Sequence, residues 1–282
     1  MTFYDYNSNI NNIVKIKKLK NKINGRMSLY FGINLFTGVF SFTGYRQLKK
    51  DLRELKRQAA QSKQKFPVTK LYACYKDKKG NAGTLNYQYF YQDLFVAQQI
   101  SKNNPQRHID IGSRMDGFIV HVASFRPIEV FDIRPIDLNI PNIIFKQADI
   151  MNYEGLEKEC TDSISSLHVL EHFGLGRYGD PICFEGYLLG FKNITSLLKK
   201  GGKFYFSVPL GKQRIEFHAH RVFSLDYLLQ LVSEDYTIDS FSYIDDNNRF
   251  FREINLSTLS DEEKKTSLGV HLGCAVFVLT KK

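Results

Sequence analysis

The chain has 282 residues, 39 Lys and Arg against 29 Asp and Glu, and a formal charge of +10. Hydrophobic residues at 43% and charged residues at 24% are ordinary globular values and exclude wholesale disorder. Four cysteines (Cys74, Cys160, Cys183, Cys274) lie far apart with no Cys-x-x-Cys, which argues against a zinc ribbon, a thioredoxin-type site or a disulfide scaffold and favours a reducing compartment.

The charge is unevenly spread. Residues 1–80 hold 18 Lys/Arg and 4 Asp/Glu, a net of +14, whereas residues 81–282 hold 21 and 25, a net of −4. This divides the chain into a basic N-terminal extension, 1–80, and a mildly acidic domain, 81–282. Residues 1–26, rich in Asn, Ile and Lys, read as a mobile or loosely docked tail. Their basic run is too long for a signal peptide, and no small-x-small cleavage site follows. No charge occurs between Arg26 and Arg46, but Gly32, Asn34, Gly38 and Gly44 dilute the stretch. It reads as packing on the protein itself, ahead of a membrane-surface segment and well ahead of a span. Residues 46–64 predict a helix with Leu48, Leu52, Leu55 and Ala59 as one apolar stripe on a basic body, ended by Pro67. Any peripheral membrane contact is therefore expected through residues 1–60, by attraction to anionic lipid.

A second helix is predicted over 87–102, ended by Asn103-Asn104-Pro105. Seven β-rich runs follow, at 107–111, 128–133, 143–147, 163–169, 203–208, 237–244 and 270–280. Helical segments fit between most of them, at 117–125, 184–200 and 224–233. Strand alternating with helix predicts an α/β fold, a doubly wound and mainly parallel sheet with an antiparallel pairing at one edge. Ligands in such sheets sit at the carboxyl ends of the strands, near the switch in strand order.

Three carboxylates fall at three successive strand tips: Asp110 before Gly112 and Ser113, Asp132 before Ile133, and Asp149 before Ile150. The turn after the first strand is neither G-x-G-x-x-G nor a P-loop. A carboxylate beside it would repel a pyrophosphate and welcome a cationic, phosphate-free ligand such as S-adenosylmethionine. Asp132 stands where a carboxylate accepts both ribose hydroxyls, and Asp149 where one accepts from an adenine amino group. The fourth run leads into His168-Val-Leu-Glu171-His172. Its letters match an inverted zinc-protease motif, but it follows a strand and is broken by Gly174 and Gly176, so no metal site is expected. It reads instead as a loop beside the reactive end, with Glu171 and His172 facing an acceptor.

These segments resemble one family. His108-Ile-Asp-Ile-Gly-Ser, Phe131-Asp-Ile-Arg-Pro, Gln147-Ala-Asp, the stretch from Leu167 through His172, Arg177 and Tyr178 to Asp180-Pro, and Phe217-His-Ala-His-Arg-Val-Phe223 are similar to the methyltransferase-like family known as domain of unknown function 268. That family lies within the class I S-adenosylmethionine methyltransferases, and the resemblance spans roughly 66–250. It implies a seven-stranded sheet with the last strand antiparallel. Cofactor contacts are implied at Asp110, Gly112, Ser113, Asp132, Ile133, Asp149 and Ile150, and His168 is assigned to the same end. Arg114 stands where many methyltransferases have a second glycine, and His218 replaces a usual Asn.

Methyl transfer to an alcohol calls for alignment and a general base. The candidates are His172, Glu171, His220 and His218. Arg114, Arg177, Tyr178 and Arg221, with Arg134 nearby, suggest an anionic acceptor such as a sugar phosphate or nucleotide sugar. The expected function is thus O-methylation of a small anionic metabolite, in the cytoplasm or at the inner face of a membrane where surface polysaccharide is built. Alternatives are an RNA or N-methyltransferase and a non-catalytic accessory protein. Nucleic acid is disfavoured because no stacking platform accompanies the basic helix.

Overall fold

The computed structural model describes residues 37–64, 66–69, 85–137, 139–152 and 157–282. The tail expected at 1–26 and most of the uncharged stretch lie outside them. The chain forms two units, residues 1–84 and 85–282.

In the first unit, α1 (Thr37–Gln61) begins nine residues before the helix expected from the charge pattern. Its helical backbone extends into the uncharged stretch, where propensity and charge periodicity offered no start signal. Leu48 and Leu52 are half-buried and Leu55 is exposed along the expected stripe. Among the described residues no helix is long and apolar enough to cross a membrane.

The second unit is built on strands β1 (His108–Ile111), β2 (Ile128–Asp132), β3 (Ile143–Gln147), β4 (Thr161–Leu167), β5 (Leu198–Leu210), β6 (Arg214–Glu216), β7 (His220–Val222), β8 (Tyr236–Ile244), β9 (Phe250–Phe251) and β10 (Gly273–Lys281). Eight of them form one sheet in the order β3-β2-β1-β4-β5-β10-β8-β9, and β6 and β7 form a separate hairpin. Strands β3, β2, β1, β4 and β5 pair in parallel, and β10 is antiparallel to both β5 and β8. One expectation needs correction. The sheet has eight strands rather than seven, because Phe250–Phe251 adds a short edge against Tyr243 and Ile244. The antiparallel pairing expected at one edge is present: β10, the last strand, pairs antiparallel with β8 and inserts between β5 and β8.

Side chains alternate along the strands and divide the core. On one face Ile109, Ile111, Phe204, Phe206, Phe277 and Leu279 pack against α4 (Gly186–Leu197) and α5 (Leu225–Ser233). On the other, Tyr205, Cys274, Val276 and Val278 pack against α2 (Tyr87–Asn103) and α3 (Val120–Ala123). The second face also buries a polar strip: the His108 ring bonds Ser163 Oγ at 2.7 Å and Ser165 Oγ at 3.0 Å, and the Ser207 hydroxyl donates to Gln92 at 2.6 Å. That strip leads to the tips of β1 and β4. Around β1 the chain steps outward to β2 and β3, and from β4 it steps the other way, so the crevice between β1 and β4 is the topological switch point.

Candidate functional site

A cavity of about 600 Å³ opens at this switch point. It is lined by residues following β1, β2, β3 and β4, by Gln88 and Tyr89 of α2, and by His220 of β7. Its volume suits a small-molecule ligand of cofactor size.

The β1 tip turns at Gly112, with φ +66°, and a Cβ there would stand 2.9 Å from Val169 Cγ1. Only glycine combines that backbone with so close a neighbour. Asp110 does not line the cavity. It is fully buried behind the turn, where it accepts from Ser113 N–H at 2.9 Å, Ser113 Oγ–H at 2.7 Å and Ser165 Oγ–H at 2.5 Å. Burial pushes its carboxyl up to about 7 against the pull of those donors. The expected direct contact with a cationic ligand is corrected: Asp110 shapes the turn, and Ser113 and Gly112 face the space. The segment predicted as a helix at 117–125 is a π-helical turn, Met115–Ile119, running into the single turn of α3.

Asp132 and Asp149 do line the cavity, as do Ile133 and Ile150. Asp132 accepts from Arg134 N–H at 2.8 Å and from the guanidinium at 2.8 and 3.1 Å. Arg134 in turn lies 4.4 Å over the ring of Tyr178, so residues after β2 and β4 meet across the cavity. Asp149 accepts from Met151 N–H at 2.9 Å, which caps the short turn carrying Ile150 and leaves one carboxylate oxygen for other donors.

The loop after β4 holds the remaining ionisable groups. His168 has φ +55°, a strained position for a non-glycine residue, and its ring sits 5.1 Å from Tyr89. His168 Nδ1 bonds Glu171 Oε1 at 2.9 Å. Burial alone would lower its pKa, but the nearby Cys274 sulfur and the Glu171 carboxylate outweigh that and raise it well above the ordinary value. Glu171 is buried; its Oε2, like His168 Nε2, is enclosed without a hydrogen-bond partner. His172 donates from Nδ1 to the Ala219 carbonyl at 2.7 Å, so in the neutral ring Nε2 carries the lone pair, 3.8 Å from Glu171 Oε1. Burial lowers the His172 pKa, with Arg177 and His168 adding to the effect and Glu171 opposing it.

Arg114, Arg177, Tyr178 and His220 line the cavity as well. Arg114 pairs with Asp116 at 3.0 Å and covers the Tyr89 ring. Arg177 donates to Ala219 O at 3.0 Å. Two expectations fail. His218 is exposed at the tip of the β6–β7 hairpin, where the turn takes a left-handed φ of +66°, and lies outside the cavity that His220 lines. Arg221 is buried and donates to the carbonyls of Phe173 at 2.6 Å and Phe184 at 2.9 Å, so it braces the loop rather than meeting a ligand. Among the described residues no group of three or more His, Cys, Asp and Glu is placed to hold a metal ion. Sequence reasoning missed Met115, Met151 and Pro209 in the lining and the role of the Ala219 carbonyl; apolar and backbone groups carry no motif signal.

Residues 142–270 match the family described as Caenorhabditis protein of unknown function, DUF268. The resemblance is borne out over that stretch. No curated protein matches the chain. Among solved structures, it is similar to the N-methyltransferase NodS from Bradyrhizobium japonicum WM9 in complex with S-adenosyl-L-homocysteine. The two are 13% identical with a TM-score of 0.46, over 70% of this chain and 88% of that one. It is also similar to the 1,6-didemethyltoxoflavin-N1-methyltransferase from Burkholderia thailandensis, at 12% identity and TM-score 0.44, over 68% and 79%. At such identities and TM-scores the likeness says nothing of what this chain does, and the central, mostly parallel sheet stands on the strand order itself.

Proposed function

We propose that the chain is an S-adenosylmethionine-dependent methyltransferase acting on an oxygen of a sugar, nucleotide sugar or related small anionic metabolite. The observation that carries this reading is His172, whose Nδ1–H is committed to Ala219 and whose Nε2 lone pair is left beside the cavity.

The residues fit the cofactor. Asp132 suits the ribose hydroxyls, Asp149 the adenine amino group, and Ile133 and Ile150 the faces of the ring, while the Gly112 turn lets a ligand approach the backbone closely. The turn after β1 offers no long helix N-terminus for a diphosphate: a π turn with Asp116 in it leads into a four-residue helix. This favours a phosphate-free nucleoside more firmly than the charge of Asp110 does, since that carboxyl is buried and raised. When bound, the cofactor supplies an electrophilic methyl group on a sulfonium. The chain's own part is to align the acceptor, exclude water and take up its proton. Neutral His172 receives that proton at Nε2, and Glu171 stabilises the imidazolium so formed. Arg177, Tyr178 and Arg114 orient an anionic acceptor at the cavity wall.

S-Adenosylhomocysteine at about a hundred times its Kd is expected to stabilise the protein by about 2.7 kcal/mol, read as a thermal shift. Asp132→Ala is expected to remove that shift. If the wild-type protein shows no shift, the cofactor reading is overturned. Labelled cofactor incubated with a metabolite pool then identifies the acceptor by mass spectrometry, and absence of any labelled product would favour an accessory role.

A further inference from the structure

Asp132 and Arg134 close on each other after β2, and the pair leaves the carboxylate too few acceptor positions for a ribose. A carboxylate offers about four lone-pair positions. Arg134 occupies three of them: its backbone N–H donates to Oδ1 at 2.8 Å, its Nε–H to Oδ1 at 3.1 Å and its Nη2–H to Oδ2 at 2.8 Å. Two hydroxyls that both donate to Asp132 need two positions, and one is free. At least one guanidinium bond must therefore give way. The side chain of Asp132 is 16% exposed and tied to the backbone, whereas that of Arg134 is 53% exposed. An ion pair with one partner so open to water is weakly held, so the guanidinium is the partner that moves.

Tyr178 sets where it can go. The guanidinium of Arg134 already lies 4.4 Å over that ring, and the guanidinium of Arg177 lies 5.1 Å from the same ring. His172, the proposed base, meets the ring edge-on at 5.3 Å. Arg177 directs one donor to a neutral acceptor, the Ala219 carbonyl, and that bond leaves its charge uncompensated. Two guanidiniums on one tyrosine beside the base form a pair of planar forks, an arrangement that takes a phosphate or carboxylate. One of the two forks is closed on Asp132. All five residues line the same cavity.

We propose that Arg134 couples the two halves of this cavity: it yields Asp132 to the ribose hydroxyls and turns its guanidinium to the anionic group of the acceptor, so that nucleoside and anion each strengthen the other's binding. The proposal rests on the cofactor reading above, and the coupling is reciprocal. The test is calorimetry of S-adenosylhomocysteine binding to the full-length protein, in sodium chloride and in inorganic phosphate at equal ionic strength, which holds screening constant. Saturating phosphate is expected to tighten wild-type binding about fivefold or more. Arg134→Met keeps an apolar stem beside Tyr178 and removes the fork. It is expected to bind S-adenosylhomocysteine in chloride at least as tightly as wild type, because nothing competes for Asp132, and to show no phosphate effect. The proposal is overturned if phosphate leaves the wild-type affinity unchanged or weakens it. Retention of the phosphate effect in Arg134→Met would assign the anion to Arg177 alone and equally overturn it. Weaker binding by that variant in chloride would make Arg134 a brace that orients Asp132, and would also sink the coupling. Absence of any S-adenosylhomocysteine binding by wild-type protein would refute the cofactor reading itself, whereas binding without the phosphate effect refutes the coupling alone.

Discussion

Replacing Asp110 by Asn probes the buried carboxyl that shapes the β1 turn. Its pKa is displaced from an ordinary 3.8 up to about 7, with burial as the leading cause. Below about pH 4 both folded and unfolded chains hold the proton. Between about pH 4 and 7 only the unfolded chain has released it, so this group's contribution falls as pH rises, and the loss is complete above about 7. Roughly three pH units at ~1.4 kcal/mol each amount to about 4 kcal/mol. Asn keeps the acceptor for Ser113 N–H, and its amide donates to Ser113 Oγ and Ser165 Oγ, which rotate to accept. Urea midpoints of wild-type and Asp110→Asn protein, measured side by side from pH 4.5 to 8, isolate the effect, since all other titrations cancel in the difference. The variant is expected to gain on wild type steadily toward pH 7 and then to level off, with S-adenosylhomocysteine binding retained. A stability difference that stays flat across that range would refute the buried-acid reasoning. Loss of ligand binding at unchanged stability would return Asp110 to direct contact.

Gly112→Ala combines a φ of +66° with a 2.9 Å approach to Val169 and is expected to cost about 1–3 kcal/mol, with weaker S-adenosylhomocysteine binding by calorimetry. Arg221→Met strands the Phe173 and Phe184 carbonyls and is expected to destabilise by about 3 kcal/mol in urea and to expose the 173–184 loop to protease. His172→Ala is expected to slow methyl transfer by about 10²–10⁴-fold while leaving the cofactor shift in place. Because burial lowers the His172 pKa, the wild-type rate should hold at pH 7 and fall only as pH drops below the ordinary histidine range. A variant with full turnover would remove His172 from the reaction.

Much of the fold was legible because strands and helices here follow local periodicity. Phe204, Phe206 and Val208 alternate with Tyr205 and Ser207 along β5, and such a pattern announces a strand buried on both faces. The short β9 was not legible, since two phenylalanines become a strand only by pairing with β8. The site divides in the same way. Asp132 and Asp149 were found by their phase with the strands, whereas Asp110, His218 and Arg221 were misplaced. In β1 the side chain of Asp110 points to the sheet face covered by α2, a matter of pleat and packing. His218 turns outward because the hairpin needs a left-handed residue at its tip. Arg221 faces inward because β7 packs beside the turn carrying His172.

The order of residues alone determined the split of charge, the alternating α/β architecture and the resemblance to one family over residues 142–270, because each depends on composition or on short-range spacing. Tertiary structure decided which polar groups meet. The +10 of the whole chain says nothing of Glu171 Oε2 and His168 Nε2, left without partners in a cavity. Burial and orientation arise when distant segments pack, and no local pattern encodes them.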